Sequence, residues 1–286
     1  MAYLHADLST VLLNHLLRGV QYVPVATYHI GLLTSSSVEV SGGGYARAAI
    51  ANDRNSFPDC PLDELPTKTN GVAITFPTAT AAWGRITHWA IYDSAIGGTN
   101  QQLAVGWIGS SIRLVSGGAT VKIPAGSLVI SPVMWNGDYK DSGFGGTDDP
   151  LSKGYSDLGE GIARSLLDMV FGRVHHTPLS ALYVSYGSFY ALAGQSSAYY
   201  QEYNAVNYAR ALATFSSPIN GATANVGELT LNTNSINPPY APTHFGIHDH
   251  PTAGDLIIRG SIWAAPWVFA GDSVKFPAGE CKVNLL

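Results

Sequence analysis

Thr87-His-Trp-Ala-Ile-Tyr-Asp93 and Thr243-His-Phe-Gly-Ile-His-Asp249 are one pattern written twice, 156 positions apart. Each is a short aromatic and β-branched run that ends on an Asp, as a strand does when it enters a turn. The likeness extends outward in both directions. Upstream, Ile74-Thr-Phe76 matches Leu229-Thr-Leu231, and Gly44-Tyr-Ala-Arg-Ala48 matches Asn207-Tyr-Ala-Arg-Ala211. Further upstream, Leu12, Leu13, Val20 and Pro24 match Leu166, Leu167, Val174 and Pro178. Downstream, Val121-Lys-Ile-Pro-Ala-Gly126 matches Val274-Lys-Phe-Pro-Ala-Gly279. Five landmarks keep their order while the offset runs 154, 163, 155, 156 and 153, which is the mark of a tandem duplication.

The shifts in offset locate the length differences. Copy two is longer before its Tyr-Ala-Arg-Ala, within the Tyr/Ser/Ala-rich stretch Gly187 to Tyr203, and copy one recovers the length within Cys60 to Thr69. Both stretches read as loops. The expected organisation is residues 1–130 as a first helix and β-sandwich, 131–156 as a Gly/Asp-rich linker, and 157–286 as a second helix and β-sandwich.

Each copy opens on a helical pattern. Leu8, Leu12 and Leu16 recur every four residues and Gly19 stops the run; Leu158, Ile162, Leu166 and Val170 repeat this, with Asp157 and Glu160 as a capping pair and Gly172 as the stop. Short strands follow at Tyr28 to Leu33, Val72 to Phe76, Thr87 to Tyr92, Leu103 to Ile108, Ile112 to Val115, Thr120 to Ile123 and Leu128 to Ile130. Pro124-Ala-Gly126 and Pro277-Ala-Gly279 are expected to join the last two strands of each copy as a hairpin. About seven strands per copy predict an all-β fold of two jelly-roll-like sandwiches, each preceded by a short α-helix.

Composition narrows the function. Hydrophobic residues make up 46% of the 286, enough for a sizeable core, while charged residues make up 12% and the net charge is -5. No Lys/Arg run offers a phosphate backbone its counter-charge, so nucleic acid is not an expected partner. No apolar run reaches the ~18 residues of a membrane span. Met1 to Asp7 lacks the basic residues of a signal peptide, so none is expected. Cys60 and Cys281 form no Cys-x-x-Cys pair and are read as free thiols.

One succession of motifs is distinctive. It runs Leu-Leu-x-His-x-Leu-Arg-Gly, then Pro-x-x-Thr-Tyr-x-x-x-Leu-x-Thr, then Val-Ser-Gly-Gly-Gly-Tyr-Ala-Arg. Next come Thr-Phe-Pro-x-Ala-Thr-Ala-x-Trp-Gly-x-Ile-Thr-His-x-x-Ile-Tyr-Asp and Ile-Pro-Ala-Gly, the whole occupying Leu12 to Ile130. This resembles the small phage proteins commonly labelled "phage tail fiber protein". Copy two keeps the frame but lacks Gly-Gly-Gly and Trp-Gly. The resemblance implies a component of a bacteriophage virion; the expected role is structural and non-enzymatic, and without a signal peptide the chain is expected to stay in the host cytoplasm until assembly. Low-charge sandwiches with short helices suit side-by-side packing, so the expected partners are other copies of itself and other virion proteins, in a homo-oligomer on the tail, neck or capsid.

The repeat is an internal control on candidate chemistry, since a position that acts in one copy has a counterpart in the other. His244, His248 and His250 alternate as strand residues on one face do, a spacing that would suit Zn²⁺ or Ni²⁺. Copy one has His88, Tyr92 and Ser94 there, so the histidines read as polar strand-end residues and no cofactor is expected. The junction carboxylates Asp138, Asp141, Asp148 and Asp149 lack EF-hand spacing and read as a solvated linker. Glu39, Glu64, Glu160, Glu202, Glu228 and Glu280 read as scattered, none recurring between copies, so the carboxylate pair of a glycosidase is not expected. No nucleophile elbow, Walker loop or zinc-protease motif is present. Arg47 and Arg210 recur beside Tyr45 and Tyr208, suiting either a subunit contact or an intradomain role. Tyr186, Tyr190, Tyr199, Tyr200 and Tyr203 crowd the insertion and form the candidate contact surface, for protein or host-surface glycan.

Overall fold

The Thr-His landmark becomes an interior strand of the main sheet in each copy. The computed structural model describes residues 2–61, 66–96, 102–108, 113–131, 156–158, 160–191, 198–203, 208–232, 242–262, 267–269 and 271–285. The first copy runs β1 (Ala2–Leu4), α1 (Ala6–Arg18), β2 (Thr27–Leu33), β3 (Ala48–Ala51), β4 (Lys68–Thr69), β5 (Ile74–Thr78), β6 (Gly84–Ile86), β7 (His88–Tyr92), β8 (Gln102–Trp107), β9 (Arg113–Val115), β10 (Thr120–Ile123) and β11 (Val129–Ile130). The second runs β12 (Ser156–Leu158), α2 (Glu160–Val170), β13 (Leu182–Ala191), β14 (Ala198–Glu202), β15 (Ala211–Ala213), β16 (Ala222–Ala224), β17 (Leu229–Asn232), β18 (His244–His248), β19 (Leu256–Ser261), β20 (Ser273–Phe276) and β21 (Lys282–Asn284). The fold is all-β with two helices, in tandem.

Two compact units emerge, and neither is contiguous in sequence. One gathers Met1–Ser9, Tyr22–Met134 and Ala163–His176; the other gathers Thr10–Gln21, Trp135–Ile162 and Thr177–Leu286. The helical segments are therefore apportioned crosswise, most of α2 with the strands of copy one and most of α1 with those of copy two.

In the first unit the main sheet is ordered β3-β2-β7-β8-β1-β11-β4, with β10-β5 and β6-β9 as separate pairs. β3 alternates buried and exposed, so one of its faces meets water, whereas β7 is buried at Trp89, Ala90, Ile91 and Tyr92 in succession. Burial on both faces places β7 mid-unit. The second unit repeats the arrangement with β12-β19-β18-β13-β14 and with β15 also on β13. Registers coincide. Ile30 lies opposite Ile91 as Val184 lies opposite Ile247, and a bulge follows Ile91 just as one follows Ile247.

Several expectations are revised. The Pro-Ala-Gly turns form, with Ser127 N donating to Pro124 O and Glu280 N to Pro277 O. They do not close hairpins: β10 pairs with β5 and β11 with β1 and β4, while β20 pairs with β17 and β21 with β16. The turn passes the chain from one sheet to another. Residues 187–191 and 198–202 are strand rather than loop; β13 extends and pairs with β14, Gly187 opposite Glu202 and Ala191 opposite Ala198. Asp157 lies in β12 rather than capping α2. Gly19 closes α1 in the left-handed region at φ 68°, but the equivalent position after α2 is Arg173, at φ 57°, and not Gly172. Val20 N reaches Asn14 O and Val174 N reaches Asp168 O, so both helices end in the same six-residue closure. β1, β3, β4 and β6 are strands that the sequence pattern did not reveal.

Cys60 and Cys281 are free and buried. The junction carboxylates lie outside the described residues. Among the described residues no helix is long and apolar enough to cross a membrane.

A buried Asn fixes each sheet-to-sheet turn. Asn70 Nδ2 donates to Val72 O and Pro124 O, and its Oδ1 accepts from Leu128 N. Asn225 does the same with Gly227 O, Pro277 O and Cys281 N. Truncation would leave a buried N–H without its acceptor. Asn70→Ala is therefore expected to lower stability by about 2–3 kcal/mol in urea unfolding; a loss below about 0.5 kcal/mol, within the range of ordinary surface changes, would contradict this role.

Candidate functional site

An ion pair buried at the end of the main sheet recurs in both copies. Arg47 Nε and Nη2 grip Glu39 Oε1 and Oε2 at 2.8 and 2.7 Å, and Arg210 grips Glu202 in the same way at 2.8 and 2.6 Å. The Arg side chains are 9% and 8% exposed. Their remaining donors face the turn after the Asp landmark: Arg47 Nη1 reaches Ser94 O, and Arg210 Nη1 reaches His250 O and Ala253 O. Tyr45 OH donates to Glu39 and accepts from Leu32 N, and Tyr208 OH donates to Glu202. Burial pushes both phenols well above their ordinary value. Burial also works against the Arg charges, but the carboxylates outweigh it and both guanidinium pKa values rise.

Glu39 and Glu202 thus occupy equivalent places, contrary to the reading of these glutamates as unmatched. Leu33 bridges Glu39 as Gly187 pairs with Glu202, which puts both at the offset of the Tyr-Ala-Arg landmark. Arg47 and Arg210 serve inside their own domains.

The copies diverge beside this pair. In copy one the Arg47 guanidinium lies 3.4 Å from the centre of the Tyr92 ring, a cation–π contact. A side chain at Gly31 would fall 2.8 Å from that ring and 2.9 Å from Glu39. Copy two has His248 for Tyr92 and Ser185 for Gly31, and the smaller ring leaves room for the hydroxyl. Ser185 Oγ lies 2.9 Å from His248 Nε2 and 2.7 Å from the hydroxyl of Tyr200, which belongs to the insertion. His248 Nε2 is also 3.8 Å from Glu202. Burial and then the Arg210 charge lower the His248 pKa to about 4, with Glu202 opposing. Burial raises the Glu202 carboxyl, but the Arg210 hydrogen bond and charge, His248 and the Tyr208 hydrogen bond together more than reverse it, and its pKa is lowered.

Ser185 and His248 do not make a nucleophile and base. Ser185 is fully buried, and Glu202 approaches the nitrogen that already faces the serine. A triad carboxylate must orient the ring from the other nitrogen.

The remaining histidines serve separately. His244 Nδ1 pairs with Thr243 Oγ1 at 2.8 Å, as His88 pairs with Thr87. His250 lies beyond the end of β18, where its Nδ1 accepts from Thr252 N and Ala253 N. Among the described residues no three His, Cys, Asp or Glu side chains converge as a metal site.

The tyrosines divide into two groups. Tyr186 is fully buried, stacked on Tyr203 at 5.6 Å and edge-on to Tyr208 at 5.3 Å. Tyr200 is half-buried over Ser185. Tyr190 and Tyr199 stand opposite each other further along the hairpin; their side chains lie outside the described residues. An open groove in the second unit runs along Leu17 to Gly19 and Pro178 to Leu182, with Arg18 as the charged side chain in its wall. It gathers no carboxylate pair.

Against known families, the one described as "Podophage GP4 fiber I protein gp80" matches residues 4–131 and again residues 159–284. The two matched segments coincide with the two copies. No curated protein matches the chain.

His248 gives the second copy an acid sensitivity of definite sign. Its pKa is depressed from about 6.5 in the unfolded chain to about 4 in the fold, so its neutral form is favoured when folded. The associated stability is complete above pH 6.5 and is lost as pH falls from 6.5 to about 4, by roughly 2–4 kcal/mol at 1.36 kcal/mol per unit. Urea midpoints measured across that window should fall for the native chain. They should fall distinctly less for His248→Tyr combined with Ser185→Gly, the copy-one arrangement; an equal fall in both would remove His248 as the cause.

Proposed function

The chain belongs to the podophage fiber I protein family, and on that premise we propose that this structural fibre protein is a non-enzymatic, oligomeric surface component of the tail, neck or capsid. The observation that carries the proposal is the fate of the recurring polar residues. Glu39, Tyr45 and Arg47, like Glu202, Tyr208 and Arg210, spend their hydrogen bonds on one another and on adjoining backbone rather than on an open cleft. Such groups support a rigid building block. Low charge suits side-by-side packing of sandwiches in a symmetric array, which would also limit exposed strand edges. Sedimentation velocity at micromolar concentration is expected to give a trimer or ring, and a monomer would overturn the assembly reading.

A second reading concerns the hairpin that distinguishes copy two. Tyr200 and Tyr203 pack its base onto the domain, while Tyr190 and Tyr199 fall toward its tip. Tyrosine brings contact area with a polar end at little entropic cost, which suits recognition of a host-surface glycan. Replacing residues 190–199 by a short turn keeps Tyr200, Glu202 and Tyr203 in place. Particles carrying this variant should lose adsorption while the protein keeps its urea midpoint; unchanged adsorption rejects glycan recognition by the tip.

A further inference from the structure

Each copy's first strand stays in its own sheet, while the helix that follows completes the other unit. β1 pairs with β8 and β11, and β12 pairs with β19. In the first unit, Val170 O then accepts from Tyr28 OH at 2.8 Å and from Asn52 Nδ2 at 2.9 Å, and Gly172 N donates to Asn52 Oδ1 at 2.8 Å. Phe171 packs on Tyr28 and Phe57, both rings at 5.6 Å. Lys68, fully buried, donates to Asp168 Oδ1 at 2.5 Å, and that oxygen also accepts from Cys60 N. In the second unit the reciprocal helix is held where Gly221 N donates to Thr10 Oγ1 at 2.8 Å.

The repeat shows what the unexchanged alternative would contain. The counterpart of Asp168 is Asn14, that of Lys68 is Thr223, that of Tyr28 is Leu182, and that of Asn52 is Phe215. Seated on its own copy, α2 would set Asp168 against Thr223 and Val170 O against Leu182 and Phe215. α1 seated on copy one would leave the buried Lys68 ammonium facing an uncharged Asn. A buried charge stripped of its partner is strongly destabilising, so mispairing is disfavoured by an unsatisfied charge as well as by lost contacts.

We infer that the surface formed by Tyr28, Asn52, Phe57 and Lys68 is a docking site for the helix of a second copy of this domain, and that the Lys68–Asp168 pair selects which copy's helix enters. The two halves are reciprocal partners, in the manner of a swapped dimer whose subunits have become fused. The junction then confines the partners to one chain but does not itself hold them together.

The experiment uses the full chain with a protease site placed within residues 136–150. After cleavage the two fragments are expected to co-elute on native size exclusion and to part only in denaturant. In the cleaved protein Asp168→Asn should weaken their association at least ten-fold, and Lys68→Met combined with Asp168→Leu should recover most of it. Fragments that separate in native buffer overturn the inference, as does an association that Asp168→Asn leaves unaltered. Should Asp168→Asn fail to fold, the charge-free pair decides: continued co-elution supports the inference, and separation sinks it.

Discussion

An Arg side chain that is nine-tenths buried needs a carboxylate, and in this protein the same Arg–Glu solution is used twice. The forked geometry satisfies both carboxylate oxygens and leaves one Arg nitrogen for the carbonyls beyond the Asp landmark. The pair thereby ties three places together: the return from the first long strand, the Tyr-Ala-Arg segment, and the end of the Thr-His strand. Removing one partner would strand the other in a poorly solvated site, at a cost of about 3–5 kcal/mol for buried pairs in general. This explains why the Tyr-Ala-Arg motif survives in a second copy that has lost the Gly-Gly-Gly run directly before it.

Divergence then proceeds by matched exchange. Tyr92 over Arg47 requires glycine at position 31, whereas His248 permits Ser185, and the serine hydroxyl supplies an anchor for Tyr200 at the root of the added hairpin. Shrinking a ring, adding a hydroxyl and lengthening a hairpin are thus parts of one change in packing. The aromatic cluster of Tyr186, Tyr203 and Tyr208 fills the same end of the unit in copy two, where copy one has Tyr45 against Trp83.

The duplication and the all-β class were legible because short aromatic strands and helix stops leave a pattern in neighbouring residues. Glu39 and Glu202 escaped notice because each is a single residue between landmarks, and the insertion shifts one of them by the offset that has to be found first. The Pro-Ala-Gly turns were recognised, but a turn specifies local direction and not which strand lies beside the next. The Tyr-rich stretch lacked turn residues through most of its length, which in retrospect suits a hairpin better than a loop. Which sandwich a helix packs on has no local signature, since either copy offers an apolar face. That choice rests on isolated pairs such as Asp168 with Lys68.

The crosswise helices also set an order on biosynthesis. Ribosomes deliver roughly 5–20 residues per second, so the strands of copy one emerge some seconds before Ala163–His176 can cover Tyr28, Phe57 and Lys68. During that interval the nascent first half carries an open apolar surface with an ammonium at its edge. The neighbouring chains on a polysome would be presenting the same surface at the same time. The charge on Lys68 would then act before folding is finished, by keeping like surfaces apart until Asp168 arrives to pair with it.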